Sequence, residues 1–425
     1  MNVLIIGSGG REHAFAMQLR KSSACDQLFI LPGNAGTAVL GTNVALNPND
    51  FDALGNFCLQ NTIELLIVGP EDPLVNGLRD YFEATTALKN IAFVGPDKTG
   101  AQMEGSKDWS KIFMQKHGIP TAAYRTFTSE NLQEGIAYLQ NHSLPIVLKA
   151  DGLAAGKGVL ICQTQEEAIH ELQLMISEKK FGSASTKVVV EEFLKGIELS
   201  VFVLCDGKNY LILPSAKDYK RIGEADAGLN TGGMGAISPL PFADAAYIQK
   251  VEERIIKPTI DGLQKDQINY IGFIFIGLMN VNREPFVIEY NSRMGDPETE
   301  VVLPRIQNDF VELMMATATG NLDKVQLEID PRTAATIMLV SQGYPEAYEK
   351  GKVMTGMENV KDSILFHAGT ARNENGELLS NGGRVMAVTS FGNSIAEAIA
   401  TCNKNAALVQ FENKYYRRDI GFEFL

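Results

Sequence analysis

Four short apolar runs in the first quarter of the chain fix what that part can become: Val3-Leu-Ile-Ile-Gly7, then residues 28–31, 65–68 and 92–94. Each is continuously apolar and ends at glycine or proline, the pattern of a strand buried on both faces. Helical stretches separate them, so the strands run parallel in a doubly wound sheet. Ligands in such sheets sit at the carboxyl ends of the strands. Here those ends are Gly7 to Gly10, Pro32-Gly-Asn-Ala-Gly36, Gly69-Pro70-Glu71 and Gly95-Pro96.

A dinucleotide site is the obvious rival for this sheet. It requires glycine where Glu12 stands and an acidic residue after the second strand, and the chain has neither. Gly9-Gly10 ahead of a helix N-terminus still suits a single phosphate, through unpaired N–H groups and the helix dipole. A tight turn with glycines for geometry alone is the competing reading.

A second glycine-rich stretch, Lys149-Ala-Asp-Gly-Leu-Ala-Ala-Gly-Lys-Gly158, lies between apolar runs at 146–148 and 159–162. Strand, small-residue loop with lysines, strand is the pattern of a lid whose backbone approaches a nucleotide triphosphate closely. It is not a Walker A loop. Counting back from Lys157, Asp151 holds the first glycine position, Gly158 the hydroxyl position, and a strand follows where a helix is required. An ordinary hairpin rarely needs so many small residues and two lysines.

Further along, Lys187-Val-Val-Val190 delivers Glu191-Glu-Phe-Leu194, with Glu198 at the start of the next apolar run. Backbone groups at Phe193 and Leu194 can read an adenine, and Glu198 can accept from ribose hydroxyls. A solvated hairpin mouth would look the same. A polar and glycine-rich connection then carries Asp218, Lys220, Arg221 and Asn230-Thr-Gly-Gly-Met-Gly-Ala236. Glu289 and Asn291 stand two apart in an apolar strand and share a face. Two oxygens there suit Mg²⁺, which fills its other positions with phosphate and water. Arg293 continues that face if the strand persists, placed to clamp a carboxylate or a developing acyl phosphate. Alternating polar residues also mark the wet face of any strand.

The chain has 425 residues and a net charge of −13, with 45% hydrophobic and 21% charged residues. That is a globular composition with room for about three domains at ~150 residues each. The acidic balance argues against nucleic acid or an anionic membrane surface as a partner. Cys25, Cys58, Cys162, Cys205 and Cys402 are scattered, which suggests neither a disulfide framework nor a zinc site. No signal or spanning segment is visible, so the protein is expected in the cytoplasm. Breaks in character suggest a parallel α/β domain over 1–104, a two-part central domain over 105–325 with the lid unit at about 121–190, and a C-terminal α+β domain over 326–425. In the last, His367 reads as structural or substrate-adjacent.

Taken in order, these segments resemble the ATP-grasp superfamily and, more closely, the phosphoribosylamine–glycine ligases. The resemblance runs through Gly7-Ser-Gly-Gly-Arg-Glu-His13, Pro32 to Gly36, Val68-Gly-Pro-Glu71, Glu104-Gly-Ser-Lys107, the 149–158 loop, Glu191 to Leu194, Asn230 to Ala236, Arg293-Met-Gly-Asp-Pro-Glu298 and Phe366-His-Ala-Gly-Thr370. The segment at 293–298 is the family's specific signature. Ser292, Met294 and Tyr219 depart from common family choices, and none is an expected ligand. The resemblance implies an ATP-grasp fold with a glycine-rich lid. It also implies an ATP-dependent ligase that joins glycine to 5-phosphoribosylamine through a glycyl phosphate, with Mg²⁺ or Mn²⁺, in a monomer. By the same resemblance Lys107, Lys149, Gly156, Lys157, Gly158, Glu191, Phe193, Leu194 and Glu198 would hold ATP. Glu289 and Asn291 would hold the metal, Arg293 and Lys149 would act in catalysis, and Gly9, Gly10, Asp218, Lys220, Arg221, Arg293 and Asp296 would face the substrates.

Overall fold

The computed structural model describes residues 1–153 and 158–425. The strands Asn2–Gly7, Gln27–Pro32, Ile63–Val68, Ala92–Val94 and the short Thr42–Asn43 form one parallel five-stranded sheet. Its order places Asn2–Gly7 between Gln27–Pro32 and Ile63–Val68, so the crossover reverses there, beside Gly7 and Gly69. Val3, Leu4, Ile5 and Ile6 have no exposed surface, as expected of a strand covered on both faces. Helix Gly10–Leu19 leads from this switch point into the molecule, where Phe15 stacks between Phe273 and Phe310 at 5.6 and 5.8 Å.

A second unit is a four-stranded antiparallel sheet in the order Tyr124–Thr128, Lys187–Glu192, Ile146–Ala150, Val159–Cys162. Helices Leu132–Gln140 and Gln165–Ser177 cover one face around Phe127, Leu148, Leu172 and Met175. Thr164 caps the second helix by accepting from the Glu167 N–H at 3.1 Å, while the Glu167 carboxylate accepts from the Gln163 N–H at 2.7 Å. The lid sequence joins the last two strands of this sheet. Its residues 154–157, including the candidate ATP contacts Gly156 and Lys157, lie outside the described residues.

The third sheet has eight antiparallel strands: Glu284–Asn291, Ile271–Val281, Ile197–Asp206, Tyr210–Asp218, Gly235–Ser238, Thr333–Val340, Arg384–Gly392 and Ser363–His367. It runs unbroken from the central region into the C-terminal one through Ala236 opposite Thr336. Gly235 permits this closeness, since a Cβ there would lie 2.6 Å from the Thr336 carbonyl oxygen. The boundary expected near residue 326 thus divides stretches of chain that share a sheet. The helical stretch over 245–265 divides into Ala245–Val251, a π-turn Glu252–Ile256 and Lys257–Lys265. Pro258 lacks the N–H that a regular helix would use at that point. Among the described residues, no helix is long and apolar enough to cross a membrane.

Candidate active site

The four-stranded and eight-stranded sheets meet along the strand Glu284–Asn291. Val287 N–H donates to Pro120 O at 2.8 Å, the Thr121 hydroxyl donates to Val287 O at 2.7 Å, and Lys149 Nζ donates to Ile288 O at 3.0 Å. These bonds hold the lid-bearing sheet against the strand that carries the expected metal ligands. Tyr290 turns to the helical side, where its hydroxyl meets Thr259 at 2.7 Å, so Glu289 and Asn291 take the opposite face. Gly277 on the paired strand leaves room for Glu289, because a Cβ there would come within 3.2 Å of Glu289 Cγ.

Among the described residues no hydrogen bond uses the Glu289 carboxylate, and the buried Asn291 Nδ2 has no partner. Burial pushes the Glu289 carboxyl up, but the ammonium groups of Lys220, Lys149 and Lys107 together hold it below the usual carboxylate range. An ionised carboxylate, with the Asn291 amide beside it on the same face, fits a hard divalent cation once the amide turns its oxygen rather than its unpartnered Nδ2 to the ion. No group of three or more His, Cys, Asp or Glu side chains is gathered for a metal among the described residues. A cation held here would draw most of its ligands from phosphate and water, the habit of Mg²⁺.

The loop that would cover this face is rooted at Asp151. Its carboxylate accepts from the Ser106 hydroxyl at 2.9 Å and from the Asp108 N–H at 2.8 Å, at the start of helix Lys107–Lys116. An anion there is favoured by the helix dipole. The same bonds bring Lys107 to the lid root, with its Nζ 3.5 Å from Gly152 O. Burial depresses the Lys107 ammonium, and the charges of Glu289 and Asp151 counter it. Gly158 closes the far side of the loop, its carbonyl accepting from Ala150 N–H at 2.8 Å.

At the other end of Lys149 lies Glu191. Its Oε2 receives Lys149 Nζ at 3.0 Å and Lys111 Nζ at 3.2 Å, while its Oε1 is buried without a partner among the described residues. Phe193 and Leu194 follow immediately, Phe193 exposed. Glu198 is paired with Lys220 at 3.0 Å, which holds its carboxyl low. Burial pushes the Asp218 carboxyl up against the pull of Lys220. Arg221 is not brought to this cluster: it donates to Gly228 O at 2.8 Å across its own hairpin, Arg221–Gly223 with Ala227–Asn230.

The strand ends at Asn291, so Arg293 does not extend its face. Arg293 instead reaches the carboxyl ends of the parallel sheet, pairing with Glu104 at 2.6 Å and with Glu71 at 3.4 Å. Glu104 also accepts from the Ser292 N–H at 2.8 Å and hydroxyl at 3.1 Å. Burial raises the Glu104 carboxyl, and Arg293 opposes this.

The expected anion cradle at Gly9 and Gly10 is already lined by carboxylates. Glu12 Oε2 accepts from Gly9 N–H at 2.6 Å and Asp296 Oδ2 accepts from Arg11 N–H at 3.2 Å. A Cβ on Gly10 would lie 2.1 Å from Glu300 Oε1, and one on Gly69 would lie 2.0 Å from Glu12 Oε1. Gly10 and Gly69 are thus required by buried acids, Glu300 just beyond the signature segment and Glu12 of the helix itself. Asp296 is held ionised, against burial, chiefly by Arg384 at 2.9 Å and by Arg11.

Sequence reasoning assigned no role to Lys111, Glu104, Asp151 or Arg384. Lys111 had a local signal, standing four residues after Lys107 on one helix face. The others act across long separations, and Arg384 comes from the C-terminal region to Asp296 and to the Gly232 carbonyl at 2.6 Å. That region also closes on the parallel sheet where His367 N–H donates to His13 Nδ1 at 2.8 Å and Asn34 Nδ2 donates to His367 O at 2.9 Å.

Known proteins resemble this chain along its whole length. Three family models match: the N domain of phosphoribosylglycinamide synthetase over residues 1–104, its ATP-grasp (A) domain over 105–299 and its C domain over 334–423. The phosphoribosylamine–glycine ligase of Haemophilus influenzae is 44% identical over 99% of this chain and 98% of its own length. That of Chlorobaculum tepidum is 43% identical over the full length of both. The crystal structure of the phosphoribosylamine–glycine ligase from Thermotoga maritima superposes with a TM-score of 0.85 at 36% identity, covering 99% of this chain and 100% of that one.

Proposed function

The chain belongs to the phosphoribosylamine–glycine ligase family, and from that premise we propose that it joins glycine to 5-phosphoribosylamine at the expense of ATP, giving glycinamide ribonucleotide, ADP and phosphate in purine biosynthesis. The observation that carries the reading is the run from Glu289 to Arg293. It sets the Glu289 carboxylate, which no described hydrogen bond uses, in the field of Lys220, Lys149 and Lys107 at one end and a guanidinium among carboxylates at the other.

In this reading the glycine carboxylate attacks the terminal phosphorus of ATP, and the bond to ADP breaks. Such a transfer asks for charge neutralisation and alignment more than for a base. Lys107 and Lys149 supply positive charge to the phosphates. Glu289 and Asn291 would hold the divalent cation, which when bound neutralises charge on the phosphate oxygens; we assign it as Mg²⁺, with Mn²⁺ as a substitute. Glu191, Phe193, Leu194 and Glu198 take the base and ribose.

Arg293 stabilises the glycyl phosphate as it forms. The amine of phosphoribosylamine then attacks the acyl carbon, the C–N bond forms, phosphate leaves, and the ammonium proton passes to a carboxylate. Asp296, ionised and beside Gly9 and Gly10, is the assigned neighbour of that amine. Asp218 and Lys220 remain candidates for the phosphoribosyl side, and Arg221, held in its own hairpin, does not. An acyl phosphate hydrolyses if water enters, which gives the lid its purpose. We further propose that the protein works as a cytoplasmic monomer. The test is ADP release by purified protein with ATP, Mg²⁺ and 5-phosphoribosylamine. Release should depend on glycine, and equal release with other amino acids would refute the substrate assignment.

A further inference from the structure

Lys111 is almost fully buried, and all three of its N–H groups are used. They go to Glu191 Oε2 at 3.2 Å, the Thr121 hydroxyl at 2.7 Å and Ala122 O at 3.4 Å. It therefore has no donor left for a ligand. Lys149 is different, since Glu191 Oε2 and Ile288 O, each at 3.0 Å, occupy two of its three donors and leave one. Glu191 in turn has Oε2 filled by two lysines and Oε1 buried with no donor among the described residues. A desolvated carboxylate oxygen without a donor is costly, so the arrangement is complete only when something donates to it.

We propose that Lys111 is a positioning residue for nucleobase selection: by pinning Oε2 of Glu191 it leaves Oε1 as an acceptor beside the one free donor of Lys149. That pair matches one edge of adenine, whose exocyclic amine donates while the adjacent ring nitrogen accepts. Guanine offers two acceptors on the same edge and would set its carbonyl oxygen against a carboxylate. The inference rests on the ATP-dependent reading above and deepens it. The neighbouring Phe193 and Leu194 backbone, which no described backbone or side-chain partner engages, is placed for the base's other edge.

The test measures binding of ATP and of GTP with Mg²⁺, without glycine or phosphoribosylamine, so that it does not depend on the identity of the acceptor. The native protein should prefer ATP by on the order of 10²-fold, the scale on which a site rejects a base that leaves its buried groups unpaired. Lys111→Met should lower that preference by about 10-fold or more, the worth of a charge-assisted hydrogen bond, and Lys111→Arg should restore most of it. A merely structural Lys111 would lower the melting temperature and weaken both nucleotides equally. An unchanged ATP to GTP ratio in folded Lys111→Met overturns the proposal and leaves the ligase reading intact. Absence of binding to either nucleotide in the native protein overturns both. If Lys111→Met does not fold, Glu191→Gln serves in its place. An amide can turn its N–H₂ toward the guanine oxygen, so the ratio should fall, and an unchanged ratio again refutes the proposal.

Discussion

Replacing Arg293 by alanine separates its two duties, because they have different pH dependences. In the proposed mechanism the guanidinium is a preorganised charge at the site of a forming acyl phosphate, and loss of such a group costs on the order of 10²- to 10³-fold in turnover. In the fold it neutralises Glu104 and Glu71 at 2.6 and 3.4 Å. Removing one member of a buried pair costs about 3–5 kcal/mol, here toward the low end, because Glu104 keeps two hydrogen bonds from Ser292 and can take up a proton. Burial already raises the Glu104 carboxyl, and without Arg293 it rises further. A carboxyl raised above its unfolded value binds more protons when folded, so its contribution to stability falls as pH rises through that interval. The variant should therefore lose less stability near pH 5 than near pH 8, by denaturant unfolding, while turnover in the ADP-release assay stays low throughout. Arg293→Lys should recover part of the stability and little of the turnover, since an ammonium lacks the planar fork of donors that a guanidinium presents to carboxylate and phosphate oxygens. Turnover within a few-fold of the native protein, or a stability deficit that grows as pH falls, would refute this account.

Gly69→Ala drives a methyl to within 2.0 Å of the Glu12 carboxylate, which is held by Gly9 and Arg11. Overpacking and loss of the cap should together cost about 2–4 kcal/mol. A melting temperature unchanged from native would mean that the cleft has slack. Glu289→Gln keeps the shape of the metal face and removes its charge, so the concentration of Mg²⁺ needed for half-maximal ADP release should rise by about 10-fold or more. An unchanged Mg²⁺ dependence would remove Glu289 from the metal. His13 is held down to about 3 by burial first and then by His367. Its unfolded value is near 6.5, so it removes stability as pH falls from there toward 3, and His13→Gln should flatten that fall. An identical acid profile in the variant would show that another group is responsible.

What could be read from the sequence was local. The runs at 3–7 and 65–68 announce strands covered on both faces because each is free of polar side chains along its length, and the period of two put Glu289 and Asn291 on one face. Glu12 was legible only as a departure from a dinucleotide fingerprint. Its actual work, capping the helix and filling the space that demands Gly7 and Gly69, depends on a strand more than fifty residues later. Asp151 likewise looked like one polar residue in a glycine loop, and its grip on Ser106 and Asp108 is a tertiary fact. Arg293 was placed on the metal strand by extrapolation, but the strand stops at Asn291, and Glu104 and Glu71 draw the guanidinium across to the parallel sheet. No local pattern foretells that Gly235–Ser238 pairs with Thr333–Val340, since antiparallel pairing at that separation leaves only apolar composition behind.

The central claim is that this cleft activates glycine for attack by phosphoribosylamine. It is tested most directly by following ADP formation and glycinamide ribonucleotide formation together while glycine is varied. The account predicts that both rise with glycine in a one-to-one ratio and vanish without it. ADP release that is independent of glycine, or that proceeds without formation of the amide product, would contradict it.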